Sequence, residues 1–147
     1  MSATAHPTHP PLKPRELHPL HAVLLIGMLP LFLGAALSDY AYSVSFHIQW
    51  STFASWLIAG ALVFNGFAII AALVGLFRAS TRGALAFAYV ALLIATWVLG
   101  FINALVHARD AWAMMPTGLV LSCAVTLMSL IALFLGFNRS RATGVSV

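Results

Sequence analysis

The stretch that decides the fold is residues 18–39, HPLHAVLLIGMLPLFLGAALSD, which holds no Asp, Glu, Lys or Arg before its final residue, Asp39. A helix that crosses the hydrocarbon core of a bilayer needs about 20 predominantly apolar residues. This run is therefore long enough to cross a membrane once. Its histidines and its carboxylate are then expected at the two rims of a membrane-spanning helix.

The composition of the whole chain indicates the same class. Of the 147 residues, 62% are hydrophobic and 7% are charged, whereas soluble globular domains carry about 25% charged residues. The seven basic residues lie near the ends of apolar segments, so they predict membrane topology and not a nucleic-acid surface. The single cysteine, Cys123, supplies neither an intramolecular disulfide nor a cysteine metal cluster.

Four uncharged stretches follow one another along the chain: residues 17–38, 40–77, 83–105 and 111–137. Because every backbone amide in lipid must be hydrogen-bonded within the protein, these runs predict helices and exclude open strands. The second stretch is too long for one crossing, so residues 40–50 are expected to form an outer loop or an interfacial segment.

The predicted fold is an all-α integral membrane protein, with four transmembrane helices in an antiparallel bundle. The membrane domain is expected over residues 17–138, with spans of about 20–38, 51–77, 83–107 and 116–137. It is expected to lie between a mobile, proline-rich tail (1–16) and a basic tail (139–147). A cleavable signal peptide is the alternative interpretation of the first run, but that run exceeds the about 7 to 15 apolar residues of a signal core.

The basic residues predict the orientation. Arg109 stands alone on one side of the predicted membrane. The opposite side carries Lys13, Arg15, Arg78, Arg82, Arg139 and Arg141. Because loops rich in Lys and Arg remain cytoplasmic, both termini are expected in the cytoplasm of a multi-pass protein of the bacterial inner membrane.

Small and polar residues recur at helical spacing and predict the inward faces of the bundle. One stripe comprises Gly118, Ser122, Thr126 and Ser129, and another Thr96, Gly100, Asn103 and His107. Membrane helices associate through close packing of small residues and shared hydrogen bonds. Asn65 lies near the middle of a span and needs a buried partner, for which the hydroxyls of Ser122, Thr126 and Thr96 are the candidates.

The six histidines fall into two groups separated by depth. His47 and His107 belong to the outer side, and His6, His9, His18 and His21 to the inner side. A core of about 30 Å separates the groups, whereas metal–nitrogen bonds measure about 2 Å, so no single centre uses both. His18 and His21 are spaced to share one small metal ion, although anchoring of the helix start is the favoured interpretation.

The outer side carries the candidate functional site. Asn103, His107 and Asp110 are spaced for a carboxylate–histidine–amide network, which needs no cofactor. Two cofactor alternatives stay open: bis-histidine ligation of a b-type haem by His47 and His107, or a quinone headgroup held by His107 and a tyrosine. The site residues predicted for either are Asp39, His47, Asn103, His107, Asp110 and Trp112.

Catalysis by the chain itself is not expected. Neither a GxSxG nor an HExxH motif occurs, no phosphate-binding glycine loop occurs, and the three acidic residues are scattered singly. No catalytic residue is therefore assigned.

Three segments carry a family resemblance: HPLHAVLLIGMLP at residues 18–30 followed by Asp39, ASWLIAGALVFNG at 54–66, and NALVHARDAWAMMPTGLVLS at 103–122. Over about residues 17–136 the chain resembles a bacterial membrane-protein family, domain-of-unknown-function family 2231. The resemblance implies a four-helix membrane domain with no assigned reaction. In some relatives this domain stands beside or is fused to Rieske iron–sulfur or quinoprotein dehydrogenase domains.

These observations favour an accessory or anchor subunit for a redox partner at the outer face. A Rieske cysteine–histidine pair is absent from the sequence, so electron transfer would need a separate partner. The alternative is a purely structural membrane-organising protein without a cofactor. Lipid is the expected surrounding in both cases, and a homo-oligomer is compatible with both.

Overall fold

A computed structural model of the protein describes residues 18–78, 83–109 and 111–142. Within these residues all regular structure is helical: α1 Pro19–Ser45, α2 Ile48–Arg78, α3 Ala84–His107, α4 Ala111–Met114 and α5 Thr117–Ala142. Helices α1, α2 and α3 and the Thr117–Arg139 part of α5 are long and apolar enough to cross a membrane. The predicted class, all-α with four membrane-spanning helices, is confirmed. The proline-rich tail (1–16) and the last five residues lie outside the described residues.

The connection between α1 and α2 consists of Phe46 and His47 and is much shorter than the outer loop or interfacial segment predicted over residues 40–50. Helix α1 continues to Ser45 and ends where Phe46 adopts the left-handed conformation, φ 57°, with its N–H bonded to the Tyr42 carbonyl. The polar and aromatic residues of this stretch mark a helix leaving the hydrocarbon core. A helix of 27 residues is about 40 Å long, whereas the hydrocarbon core is about 30 Å thick. The helix is therefore longer than the core.

The four long helices form a ring in which α1 and α3 each pack against α2 and α5. Contacts across the centre fix the register of α1 against α3. His21 meets Tyr89, and Asp39 meets His107, both at a sequence separation of 68 residues. Because the separation is the same at both ends, α1 and α3 run parallel. The two contacts lie about five helical turns, or about 27 Å, apart.

Helices α3 and α5 run antiparallel along their whole shared length. Gly118 lies against His107 at one end, and Gly136 lies against Tyr89 at the other. Between them Ser122 bonds to Asn103. Each residue forward on α5 therefore corresponds to one residue backward on α3. This correspondence gives the position of every α5 residue along the axis of α3.

The bundle core combines apolar side chains with the small and polar stripes. Leu25, Met28, Phe32 and Leu93 are fully buried. Thr96, Asn103, Ser122 and Ser129 are also fully buried, His107 is 8% exposed, and Thr126 is half-buried. The inward faces predicted for the third and fourth spans are therefore confirmed.

Asn65 is fully buried, as expected, but its predicted hydroxyl partners are wrong. Its side-chain amide donates to the Leu93 carbonyl at 3.3 Å. Thr96 and Thr126 instead donate to carbonyls of their own helices, at 2.8 and 2.7 Å. A threonine hydroxyl inside a helix reaches the carbonyl four residues earlier, so it often bonds within its own helix.

Gly27 provides a test of the α1–α2 packing. A Cβ built there would overlap Phe64 Cε1, whereas a Cβ at Gly75 would meet nothing within 4 Å. We expect Gly27→Ala to lower the stability of the bundle by about 1 to 3 kcal/mol, because overpacking displaces neighbours. Gly75→Ala, the matched control, is expected to leave it nearly unchanged. Unfolding of the purified variants in mild detergent measures both, and equal midpoints for the two would contradict this packing.

Candidate functional site

The carboxylate of Asp39 is fully buried at the end of the bundle where α1 ends. Its Oδ1 lies 2.8 Å from His107 Nε2 on α3. Its Oδ2 accepts a hydrogen bond from the Ser122 hydroxyl on α5 at 2.5 Å. One carboxylate thus joins three helices.

Asn103 closes the network from the α3 side. Its side-chain amide donates to Ser122 Oγ at 2.8 Å, and its backbone carbonyl lies 2.9 Å from His107 Nδ1. We refer to Asp39, Asn103, His107 and Ser122 as the Asp39 cluster. Each of its members bonds to at least one other member, and both ring nitrogens of His107 are engaged.

The partners of the His107 ring determine how many protons the cluster holds. A carbonyl oxygen only accepts, so Nδ1 carries a hydrogen and donates it to Asn103. The 2.8 Å contact between Nε2 and Asp39 needs one further proton, bound either to the imidazole or to the carboxyl. In either state the pair has no net charge. This neutrality suits a site in a membrane, where an isolated buried charge is very costly.

Helix α4 and the start of α5 cover the cluster. Met114 is fully buried, and its sulfur accepts a hydrogen bond from Ser51 of α2 at 3.5 Å. A Cβ at Gly118 would lie 3.0 Å from Met114 Cγ and 3.1 Å from His107 Cε1. The absence of a side chain at position 118 therefore lets the imidazole pack directly against α5.

Serine, histidine and aspartate meet in this cluster, but not in the order of a hydrolase. In a catalytic triad the histidine lies between the serine and the carboxylate and removes the serine proton. Here Asp39 lies between Ser122 and His107. Since both the serine and the aspartate are fully buried, the arrangement provides neither an activated nor an accessible nucleophile.

The structure brings three of the predicted site residues together: Asp39, Asn103 and His107. His47 is exposed on the connection between α1 and α2, and its backbone N–H donates to Ser45 Oγ at 3.4 Å. Asp110 lies outside the described residues, and Trp112 belongs to α4. The carboxylate that bonds His107 is thus Asp39 on another helix. The assignment of these residues to a cofactor stays a prediction.

Ser122 completes the site, although sequence reasoning assigned it only to a packing stripe. Its spacing of four residues from Gly118 places both on the face of α5 that meets α3. The stripe predicted this orientation. The bond between Ser122 and Asp39, however, depends on the tertiary contact between α1 and α5.

A family model described as "Predicted membrane protein (DUF2231)" matches residues 17–147. The chain belongs to this family. The match covers the four membrane-spanning helices and all of the Asp39 cluster, and it confirms the resemblance seen in the sequence. Comparisons with the curated proteins and with the solved structures find no match.

A second polar cluster lies at the opposite end of the bundle. His21 Nε2 lies 2.8 Å from the Tyr89 hydroxyl, and the guanidinium carbon of Arg139 lies 4.9 Å from the centre of the Tyr89 ring. We refer to His21, Tyr89 and Arg139 as the His21 cluster. His18, the other inner-side metal candidate, is exposed and accepts the Leu20 N–H at 3.3 Å. Among the described residues no three His, Cys, Asp or Glu side chains are grouped to hold a metal ion.

A double-mutant cycle tests the Asp39–His107 contact. Breaking a buried pair leaves one polar group without its partner, so Asp39→Leu and His107→Leu should each destabilise the bundle. The double variant should be more stable than the sum of the two predicts, by about 1 to 2 kcal/mol, the upper range for hydrogen bonds between membrane helices. Unfolding in mild detergent measures this coupling.

The control cycle pairs Asp39→Leu with Ser55→Ala, since the Ser55 hydroxyl, within the described part of the chain, bonds only the Ser51 carbonyl of its own helix. The effects of these two substitutions on the free energy of unfolding should add. Additive effects in the Asp39–His107 cycle as well would mean that the contact contributes nothing to stability.

Proposed function

We propose that the protein is an accessory or anchor subunit of a membrane assembly and has no catalytic activity of its own. The observation that carries the proposal is that the Asp39 cluster is closed. Its side chains are buried and bonded to one another across α1, α3 and α5. Such a network fixes helices in place, whereas a catalytic site needs an accessible reactive group.

The need for such a network follows from the solvent. Lipid tails are as apolar as the helices, so the hydrophobic effect does not drive helices together in a bilayer. Hydrogen bonds at both ends of the bundle, His21 to Tyr89 and Asp39 to His107, tie α1 to α3. This gives a rigid platform on which a partner can be held.

The partner, in this proposal, is a redox protein at the outer face, where the Asp39 cluster lies. Relatives that stand beside Rieske or quinoprotein domains support this choice. Tyr40 and Trp50, exposed at the same end, offer aromatic contacts to a partner or to lipid headgroups. The partner carries the redox centre, and this chain supplies the membrane attachment.

A b-type haem or a quinone bound through His107 is the less favoured form of the proposal. Both ring nitrogens of His107 are bonded within the protein. Iron or a quinone oxygen would have to displace either the Asn103 carbonyl or Asp39, and displacement of Asp39 would leave a buried carboxylate bonded only to Ser122. We therefore propose an anchor without a cofactor.

Fractionation of the host bacterium tests the anchor function. Deletion of the gene is expected to move a redox protein of the outer face from the membrane fraction to the soluble fraction, which quantitative mass spectrometry of both fractions detects. Wild-type protein and Ser55→Ala should restore attachment, and Asp39→Leu should restore less because the platform is loosened. If no redox protein changes fraction, the purely structural alternative replaces this proposal.

Visible spectroscopy tests the absence of a cofactor. The protein purified in mild detergent should show no Soret band in an oxidised-minus-reduced spectrum, and its lipid extract should contain no stoichiometric quinone. A Soret band that disappears in His107→Ala would overturn the cofactor-free anchor in favour of haem ligation.

We also propose that the N-terminal and C-terminal sides of the four-helix domain are both cytoplasmic. Arg78 and Arg139 share the end that carries His21, whereas Arg109 follows α3 at the other end, a distribution that supports this orientation. Green fluorescent protein fused at the C-terminus should fluoresce, and alkaline phosphatase inserted after Arg109 should be active. Active alkaline phosphatase at the C-terminus would reverse the orientation and place the Asp39 cluster at the cytoplasmic face.

A further inference from the structure

Buried or half-buried polar groups occur at every turn along the inside of the bundle, from one end to the other. We describe position along the bundle axis by the residues of α3 and call each such position a level. The first level holds His107 with Asp39, and the second holds Asn103 with Ser122. Thr126 and Ser129 lie four and seven residues beyond Ser122 on α5. By the antiparallel register they are level with Leu99 and Thr96.

The series continues to the opposite end. Asn65 of α2 bonds the Leu93 carbonyl, and the last level holds Tyr89 with His21. Consecutive levels differ by three or four residues of α3, which is an axial step of about 4.5 to 6 Å. Two hydrogen bonds of about 2.8 Å joined end to end through a water oxygen span a step of this size.

Three buried side-chain atoms on this series have no hydrogen-bond partner among the described residues. They are Asn103 Oδ1, near one end of the series, and Asn65 Oδ1 and His21 Nδ1, on the last two levels at the other end. Buried polar atoms of this kind usually bind ordered water. Each marks a level at which a water molecule would be held inside the bundle.

We propose that the bundle is a proton-transfer path across the membrane, from the Asp39–His107 pair to the His21–Tyr89 pair. The Asp39–His107 contact already holds a proton that either group can bind. At each further step one O–H or N–H bond breaks and one forms on the next water or side chain. The proton alone moves, so neither an oxidant nor a reductant is required.

The hydroxyls of Thr96, Thr126 and Ser129 are suited to hold the water molecules of this path, along which the proton moves. Each donates to a backbone carbonyl at 2.7 to 2.8 Å, which leaves its oxygen lone pairs to accept from water. The step between Asn65 and Tyr89 is apolar. There the fully buried Leu25 and Leu93 exclude water, so this step limits the rate.

Proteoliposomes test the path. The full chain is reconstituted into phosphatidylcholine vesicles that contain a pH-sensitive dye, and a potassium gradient with valinomycin drives protons inward. Wild-type protein should acidify the interior several-fold faster than protein-free vesicles. Thr96→Val should reduce the protein-dependent rate at least several-fold, and Leu25→Ser should increase it by admitting water to the apolar step.

Thr52→Val is the matched control, since Thr52 makes the same bond to the carbonyl four residues earlier but is exposed to the outside of the bundle. Its rate should equal that of the wild type. A wild-type rate equal to that of protein-free vesicles overturns the proposal, and so does an undiminished rate in Thr96→Val. Because attachment of a partner is measured separately by cell fractionation, failure here leaves the anchor function unaffected.

Discussion

The contact on which the rest of the structure depends is the hydrogen bond between Asp39 and His107. In lipid, apolar faces alone do not select one arrangement of helices, whereas a buried carboxylate must have a partner. At 2.8 Å from His107 and 2.5 Å from Ser122, Asp39 is satisfied only when α1, α3 and α5 meet in one register. Five turns away, His21 and Tyr89 impose the same offset of 68 residues between α1 and α3.

The same contact links the anchor role to the proton path. A pair that is neutral overall contributes to stability without a net buried charge, and its shared proton can move between the two groups without changing the net charge of the pair. Rigidity and proton transfer therefore use the same atoms but need different surroundings. The anchor needs the cluster to stay closed, whereas the path needs water at Asn103, Asn65 and His21.

The fold was largely predictable from the sequence because the length of an uncharged run and the spacing of small residues are local properties. Four spans and the inward faces around Asn103 and Ser122 followed from them. The end of α1 was not predicted correctly. The Ser and Tyr residues after Asp39 indicate where the helix leaves the hydrocarbon core, and the helix itself continues beyond that point. The contact between His107 and Asp39 was not predicted either, although both residues belonged to the predicted site. Sequence proximity pointed to Asp110, but the carboxylate comes from a helix 68 residues earlier, and only the tertiary register reveals that.

The two clusters also define how the bundle can respond to the bilayer around it. Membrane helices commonly adjust to hydrophobic mismatch by tilting or kinking. Here sliding of α1 against α3 would break the contacts at both rims at once, so these two helices can only tilt together. Their clusters stand about 27 Å apart along the axis, which is close to the hydrocarbon thickness of a thin bilayer. The fixed separation of the two clusters thus sets the membrane thickness that fits the bundle. In a thicker membrane one polar cluster would lie below the headgroups.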